Sequence, residues 1–195
     1  MNVKQEKTLI LIKPDGVMRG LIGEIIKRFE QCGLKIIGLK MVQPSKDFVA
    51  RHYSGSEEWL RGMGQKALNS FAQHNVDAEK AMGTKDPLEI GRMIQQWNTG
   101  YLSSGPVVAM VIEGIYAITA VRKIIGFTIP AQADVGTIRG DYSIDSNNVA
   151  NLEKRSTKNL IHAAGDEEEA AHEIKHWFSD EELVSYERCD ADAMF

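Results

Sequence analysis

The run Pro106-Val107-Val108-Ala109-Met110-Val111-Ile112 constrains the fold more than any other part of this chain. It carries no polar side chain and is rich in β-branched residues, so it reads as a buried strand. Thr8 to Ile12 is a second short β-branched run, and it stops at Lys13-Pro14-Asp15-Gly16. Proline presets φ and glycine permits positive φ, so this tetrapeptide is turn chemistry that leaves Lys13 at a strand end, pointing into a loop. Leu21, Ile22, Ile25, Ile26 and Phe29 keep helical spacing up to a stop at Gly33. Lys35 to Val42 reads as a further strand, and Ser45 caps a helix carrying Phe48, Val49, His52 and Tyr53. Tyr116 to Ile125 is a helix ending at Gly126, and Leu160-Ile161 is a short strand. Asp166 to Phe178 is a helix with Asp166 as N-cap and Glu169 as its capping-box partner.

Two stretches are less regular. Ser54 to Ser104 is polar, holds Gly55, Gly62, Gly64 and Gly83, and contains the Asp86-Pro87 break. Helical fragments are expected in it, because Leu88, Met93, Ile94 and Trp97 keep a rough period. Phe127 to Lys158, with Pro130, Gly136 and Gly140, is expected to be a long loop. The order strand, helix, strand, helical insert, strand, helix, strand predicts an α+β, ferredoxin-like βαββαβ sandwich: an antiparallel sheet with helices on one face. The 195 residues suit one domain, 1–195, with the helical insert at about 56–102.

The net charge of −4 argues against broad nucleic-acid binding, which needs a basic face. It leaves room for a local cluster of cations. Cys32 and Cys189 have no CxxC spacing and read as free thiols in a reducing compartment. The apolar run after Met1 is too short for a signal peptide, and no stretch approaches membrane-spanning length, so the expected location is cytoplasmic.

Chemistry concentrates at His162, in Lys158-Asn159-Leu160-Ile161-His162-Ala163-Ala164-Gly165-Asp166. A histidine between an apolar strand end and a helix N-terminus can act as a positioned nucleophile. Lys13, Arg122 and Arg139 lie in or beside glycine-punctuated turns and offer the cations that a phosphate needs. Together they point to phosphoryl transfer through a phosphohistidine.

The segments that carry these residues resemble the nucleoside diphosphate kinase family. They are Ile12-Lys13-Pro14-Asp15-Gly16-Val17, Arg19-Gly20-Leu21-Ile22-Gly23-Glu24-Ile25, Ser104 to Val111, Pro130-Ala131, Gly136-Thr137-Ile138-Arg139-Gly140-Asp141 and Asn159-Leu160-Ile161-His162. The resemblance implies transfer of the γ-phosphate of ATP to a nucleoside or deoxynucleoside diphosphate, in ping-pong fashion through His162. It assigns Glu173 to the ring nitrogen that does not attack. It places Arg122, Thr128 and Arg139 on phosphates, Lys13 on the ribose hydroxyl and the transferred phosphate, and Asn159 on the ribose hydroxyl. Tyr53 falls beside the catalytic histidine. The family stacks the base on an aromatic ring, for which Trp59 is the candidate. Mg²⁺ is expected to arrive with the nucleotide, with no protein cage of carboxylates. The partners implied are nucleoside tri- and diphosphates and a homo-oligomer, tetramer or hexamer, with no membrane and no specific nucleic acid.

The chain departs from the family pattern in three places. The stretch between Tyr53 and Ser104 is roughly thirty residues longer than usual, beyond ordinary connection lengths. A shorter excess lies around Asn147 to Thr157, and Ala164 stands where the family has a serine. These departures keep open a non-catalytic, nucleotide-binding relative. A second alternative comes from His172-Glu173-Ile174-Lys175-His176, which is literally the HExxH pattern of zinc metalloproteases, with Glu187, Asp190 or Asp192 as a further ligand. An exposed polar helix face explains that pattern equally.

Overall fold

The computed structural model describes residues 5–53 and 55–191. In chain order the elements are β1 (Gln5–Ile12), α1 (Pro14–Met18), α2 (Ile22–Glu30), β2 (Lys35–Val42), α3 (Lys46–His52), α4 (Glu57–Gln73), α5 (Ala78–Met82), α6 (Pro87–Leu102), β3 (Val107–Ile115), α7 (Ala117–Ile125), α8 (Ile138–Tyr142), α9 (Asn147–Leu152), β4 (Ile161–Ala163) and α10 (Glu167–Trp177). The strands form one antiparallel sheet in the order β2-β3-β1-β4. That is the βαββαβ topology the sequence order predicts. The apolar run of β3 takes an inner position, and Val107 to Ile112 are all buried.

Strand alternation divides the core. Ile10, Ile12, Met110 and Ile112 face α2 and α7, packing on Ile25, Phe29, Val121 and Ile125. These are the two connecting helices of the βαββαβ core, and they share one face. Leu9, Leu11, Ala109 and Val111 point to the opposite face, where Val49 of α3, Leu102 of α6 and Trp177 of α10 cover them. Both faces are covered because β1 and β3 are apolar on both sides, and a bare apolar face would stay in water. On the edge strand β2, the Val184 N–H donates to the Ile37 carbonyl at 2.8 Å, while Leu39 and Met41 remain more than half exposed. Among the described residues no helix is long and apolar enough to cross a membrane.

Local structure departs from expectation in four places. Pro14-Asp15-Gly16 is not an open turn but the start of α1, with proline at the first helical position, where a missing N–H costs nothing. The stretch 54–104 is more regular than its composition implies, holding long helices at α4 and α6. The Asp86-Pro87 break opens α6, with the Asp86 carboxylate accepting from the Leu88 N–H at 2.9 Å. The expected loop 127–158 contains α8 and α9, each a short helix capped by a side chain, Thr137 and Ser146. Helices of five or six residues show too little periodicity to be read in a sequence. Glu169, finally, does not close a capping box; its carboxylate accepts from the Gly165 N–H, while Asp166 caps as expected.

The glycines of α4 and α6 are contact points, not breaks. A Cβ on Gly64 would overlap the Pro87 carbonyl, and one on Gly91 would overlap the Leu60 carbonyl. The two helices therefore meet backbone to backbone, over a small core of Ala67, Phe71, Met82 and Ile90. Gly62 lies on the open side, where a Cβ would meet nothing. Gly64→Ala is expected to lower stability by about 2 kcal/mol, because no rotamer relieves a backbone clash. Gly62→Ala should be neutral or stabilising, by up to about 1 kcal/mol. Urea midpoints of the two variants check the contrast; equal midpoints would remove the close approach.

Candidate active site

β4 has three residues, and its register puts His162 opposite Leu11. Ile161 and Ala163 enter the core under α2 and α7, so alternation turns His162 to the other face, towards α3 and α10. The preceding residue, Leu160, is fully buried and has a left-handed φ of 68°. Such a backbone persists only where its surroundings fix it. Here the Lys13 N–H donates to the Leu160 carbonyl at 2.8 Å, and the Leu160 N–H donates to the Asp15 carboxylate at 3.1 Å. Arg139, 5 % exposed, donates to the backbone carbonyls of Asn159 (3.2 Å), Ile161 (2.7 Å) and Gly126 (3.0 Å).

The Nε2 of His162 lies 2.8 and 2.9 Å from the two carboxylate oxygens of Glu173, which α10 buries to 2 % exposure. A carboxylate only accepts, so Nε2 carries the ring proton and Nδ1 keeps its lone pair. The buried negative charge also stabilises positive charge developing on the ring. His52, from α3, packs edge to face on His162, with ring centroids 4.7 Å apart. The Trp177 indole N–H donates to His52 Nδ1 at 3.3 Å, which puts the His52 proton on Nε2. Burial above all, then the neighbouring His162, pushes the His52 pKa down to about 2. In the sequence His52 was legible only as one residue on the apolar side of its helix; nothing there signals its contact with His162.

A cavity of about 240 Å³ opens beside this pair and is lined by Lys13, Tyr53, Thr128, Asn159 and His162, among others. Lys13 Nζ donates to Asn159 Oδ1 at 2.7 Å, and Asn159 Nδ2 donates to the Thr128 carbonyl at 3.0 Å. Burial, reinforced by the charge of Arg139, lowers the Lys13 pKa to about 8. Burial and the nearby Arg122 lower Arg139 to about 10. Burial, then the charge of Glu173, pushes the Tyr53 phenol up, so it stays protonated. Four residues singled out in the sequence do not line the cavity: Glu173 is buried on His162, Arg139 is buried on backbone carbonyls, Arg122 is exposed near Arg139, and Trp59 stacks on Tyr53 at 6.2 Å.

The HExxH residues do not converge. Glu173 turns inward to His162, the His176 ring bonds the Phe48 carbonyl at 2.9 Å and stacks on Phe48, and His172 is exposed. Asp190 pairs with Arg188, and Asp192 lies outside the described residues. Among the described residues, the group able to hold a metal is His52, His162 and Glu173. The bonds to Glu173 and from Trp177 engage His162 Nε2 and His52 Nδ1. The described residues that line the cavity include no Asp or Glu.

His52 links this site to stability. The unfolded chain protonates this histidine below pH 6.5, whereas the folded chain holds it neutral down to about 2. Its contribution is therefore whole above pH 6.5 and is lost as pH falls below it. Between pH 6.5 and 5 the loss should be about 1.5 kcal/mol. Urea unfolding of the protein and of His52→Gln at both pH values checks this; equal losses in the two would overturn it.

The family model described as "Nucleoside diphosphate kinase" matches residues 6–60 and 90–183. A nucleoside diphosphate kinase of Pyrobaculum aerophilum is 50% identical over 179 residues, 92% of this chain and 98% of that one. The crystal structure of an NDP kinase from the same organism superimposes with a TM-score of 0.90 at 48% identity, covering 93% of this chain and all of that one. A transition-state mimic of the Borrelia burgdorferi nucleoside-diphosphate kinase, with vanadate and ADP, gives 0.76 at 34% identity, covering 95% and 94% of the two chains. A buried carboxylate-oriented histidine in an antiparallel βαββαβ sheet thus coincides with a match over most of the sequence, and the chain belongs to the nucleoside diphosphate kinase family.

Proposed function

We propose that the cavity beside His162 is the nucleotide cleft of a nucleoside diphosphate kinase and that His162 is its covalent carrier. The observation that carries this reading is the bond between His162 Nε2 and Glu173, which leaves Nδ1 unprotonated and free to attack. In the first half-reaction the Nδ1 lone pair forms a bond to the γ-phosphorus. The bond from that phosphorus to the bridging oxygen breaks, and the diphosphate leaves. In the second, a terminal oxygen of another nucleoside diphosphate attacks the phosphorus, the P–N bond breaks, and the neutral ring returns. Charge spreads over the phosphoryl oxygens in each transfer, so cations and positioning contribute most of the acceleration. Lys13, Arg122 and Arg139 supply the positive charge, with Thr128 at the phosphates. Asn159, held by Lys13, faces the ribose, and Tyr53 closes the side next to His162. Mg²⁺ would be held by phosphate oxygens and water, where it neutralises phosphate charge.

Ala164 does not weigh against catalysis. It is fully buried against Ile118 and Ala170, and the His162–Glu173 pair forms without a hydroxyl there. Trp59 backs Tyr53 and gains no support as the stacking platform from that position. We read residues 1–195 as one domain, with an insert at about 56–102 that α4, α5 and α6 fill. Assembly into a tetramer or hexamer would cover Leu39 and Met41 on the edge strand. Free, exposed Cys32 and Cys189 suit a cytoplasmic setting.

His162→Ala should lose turnover by about 10⁴-fold. Intact mass after brief mixing with Mg-ATP should show one acid-labile phosphoryl group on the protein, discharged by GDP to GTP, and none on the variant; substantial exchange by the variant would refute the mechanism. The charge on Lys13 is complete below pH 8 and lost above it, so kcat/KM for the triphosphate should fall up to about tenfold per unit above that pH. Lys13→Arg should move the alkaline limb upward, and an unshifted limb would assign it to another group.

A further inference from the structure

Residues 61–89 lie between the two segments that match the family, and α4 brings the first of them to the cavity. Met63, Lys66 and Ala67 line it together with Lys13 and His162. Their i, i+3, i+4 spacing puts all three on one face of α4. That face is held in place. α4 meets α6 backbone to backbone at Gly64 and Gly91, and Ala67, 4 % exposed, packs with Phe71 and Ile90 in the cluster that the two helices share. α6 carries the tie on to the sheet, because Leu102 at its end is buried with Ala109 and Val111.

This wall brings two kinds of chemistry. Ala67 is spent on the helix contact, so the aliphatic surface left to the cavity is that of half-buried Met63 and Ile94. The flat faces of a nucleobase are the apolar part of a nucleotide, and they gain by covering such surface. The charged side chains that line the cavity are Lys13, Lys66 and Arg155, all cationic. Arg155 is paired with Asp145 and Glu153, at 2.6 Å each. Exposed Lys66 has no hydrogen bond or ion pair among the described residues. An anion therefore gains its ammonium without breaking an existing pair.

We propose that the inserted helix α4 is a binding element of the site. Met63 packs on the base of a nucleoside di- or triphosphate, and Lys66 attracts the nucleotide's anionic oxygens. The proposal rests on the cavity being the nucleotide cleft, and it gives the stretch outside the family match a part in nucleotide affinity. Neither contact reads a base edge.

Calorimetric affinities for ADP, measured on the full chain, test this without any transfer step. Lys66→Ala should raise the Kd about tenfold, and Lys66→Glu should raise it further. Lys66→Arg keeps the charge and should stay within about twofold of the unmutated protein. The loss in Lys66→Ala should shrink towards 1 M salt, where a charge is screened beyond about 3 Å. Met63→Ala should raise the Kd for ADP about tenfold and leave that for inorganic pyrophosphate, which has no base, within about twofold. Lys66 is exposed, so its variants keep the proposal open to refutation if Met63→Ala does not fold. Unchanged ADP binding in Lys66→Glu, or in a folded Met63→Ala, would overturn the proposal and leave the kinase reading standing. ADP binding that needs both residues, on a protein that forms no phosphoenzyme with Mg-ATP, would sink the kinase reading and spare the role of α4. No binding of ADP by the unmutated protein would overturn both.

Discussion

The site depends on the tie between the end of β1 and the residues that lead into β4. A strand of three residues has too few ladder bonds to fix its own position. Its placement comes from the Lys13 N–H on the Leu160 carbonyl, the Asp15 carboxylate on the Leu160 N–H, and the Arg139 guanidinium on the carbonyls of Asn159 and Ile161. These bonds hold Leu160 in a left-handed conformation that a branched side chain resists. The turn at Leu160 brings Asn159 under the Lys13 ammonium and sends His162 to the face opposite Ile161. Buried charge does the holding: Asp15 and Arg139 are each about 5 to 6 % exposed and spend their hydrogen bonds on backbone, which is where a buried ion gains most.

His162 then meets groups from two other elements. Glu173 comes from the inward side of α10 and His52 from the end of α3, where the Trp177 indole bonds it. The arrangement is a relay of fixed protons. Trp177 sets the tautomer of His52, and Glu173 sets that of His162. Neutral His52 against His162 adds no competing charge, so the full effect of the Glu173 carboxylate falls on the His162 ring. A protonated His52 would compete for the same carboxylate, 3.5 Å away. Burial prevents this, at the expense of stability in acid.

The added helices are built differently from the sheet. α4 and α6 approach at glycines, over their own small apolar cluster, and Ser156 bonds Asn98 from the segment after α9. Two stretches distant in sequence thereby line one cavity with Lys13 and His162. Their residues are amides, hydroxyls and a lysine, a composition that in a sequence reads as solvated loop. In the structure the same groups line the cavity.

The order of strands along the chain, the two connecting helices and the caps at Ser45 and Asp166 were determined by the sequence. They rest on local signals: apolar period, turn chemistry, and side chains that accept from a free helix N–H. The sequence also contained Glu173, Lys13 and Asn159, but their meeting at one ring depends on strand alternation and on the left-handed turn at Leu160. Tertiary structure alone decided the rest. It covered the second face of the sheet and turned the glycines of 54–104 from breaks into contacts. It gave α8 and α9 a place in an apparent loop, placed Trp59 behind Tyr53, and brought His52 against His162. In each of these cases the deciding contact joins residues far apart in the chain, and neither periodicity nor propensity carries that information.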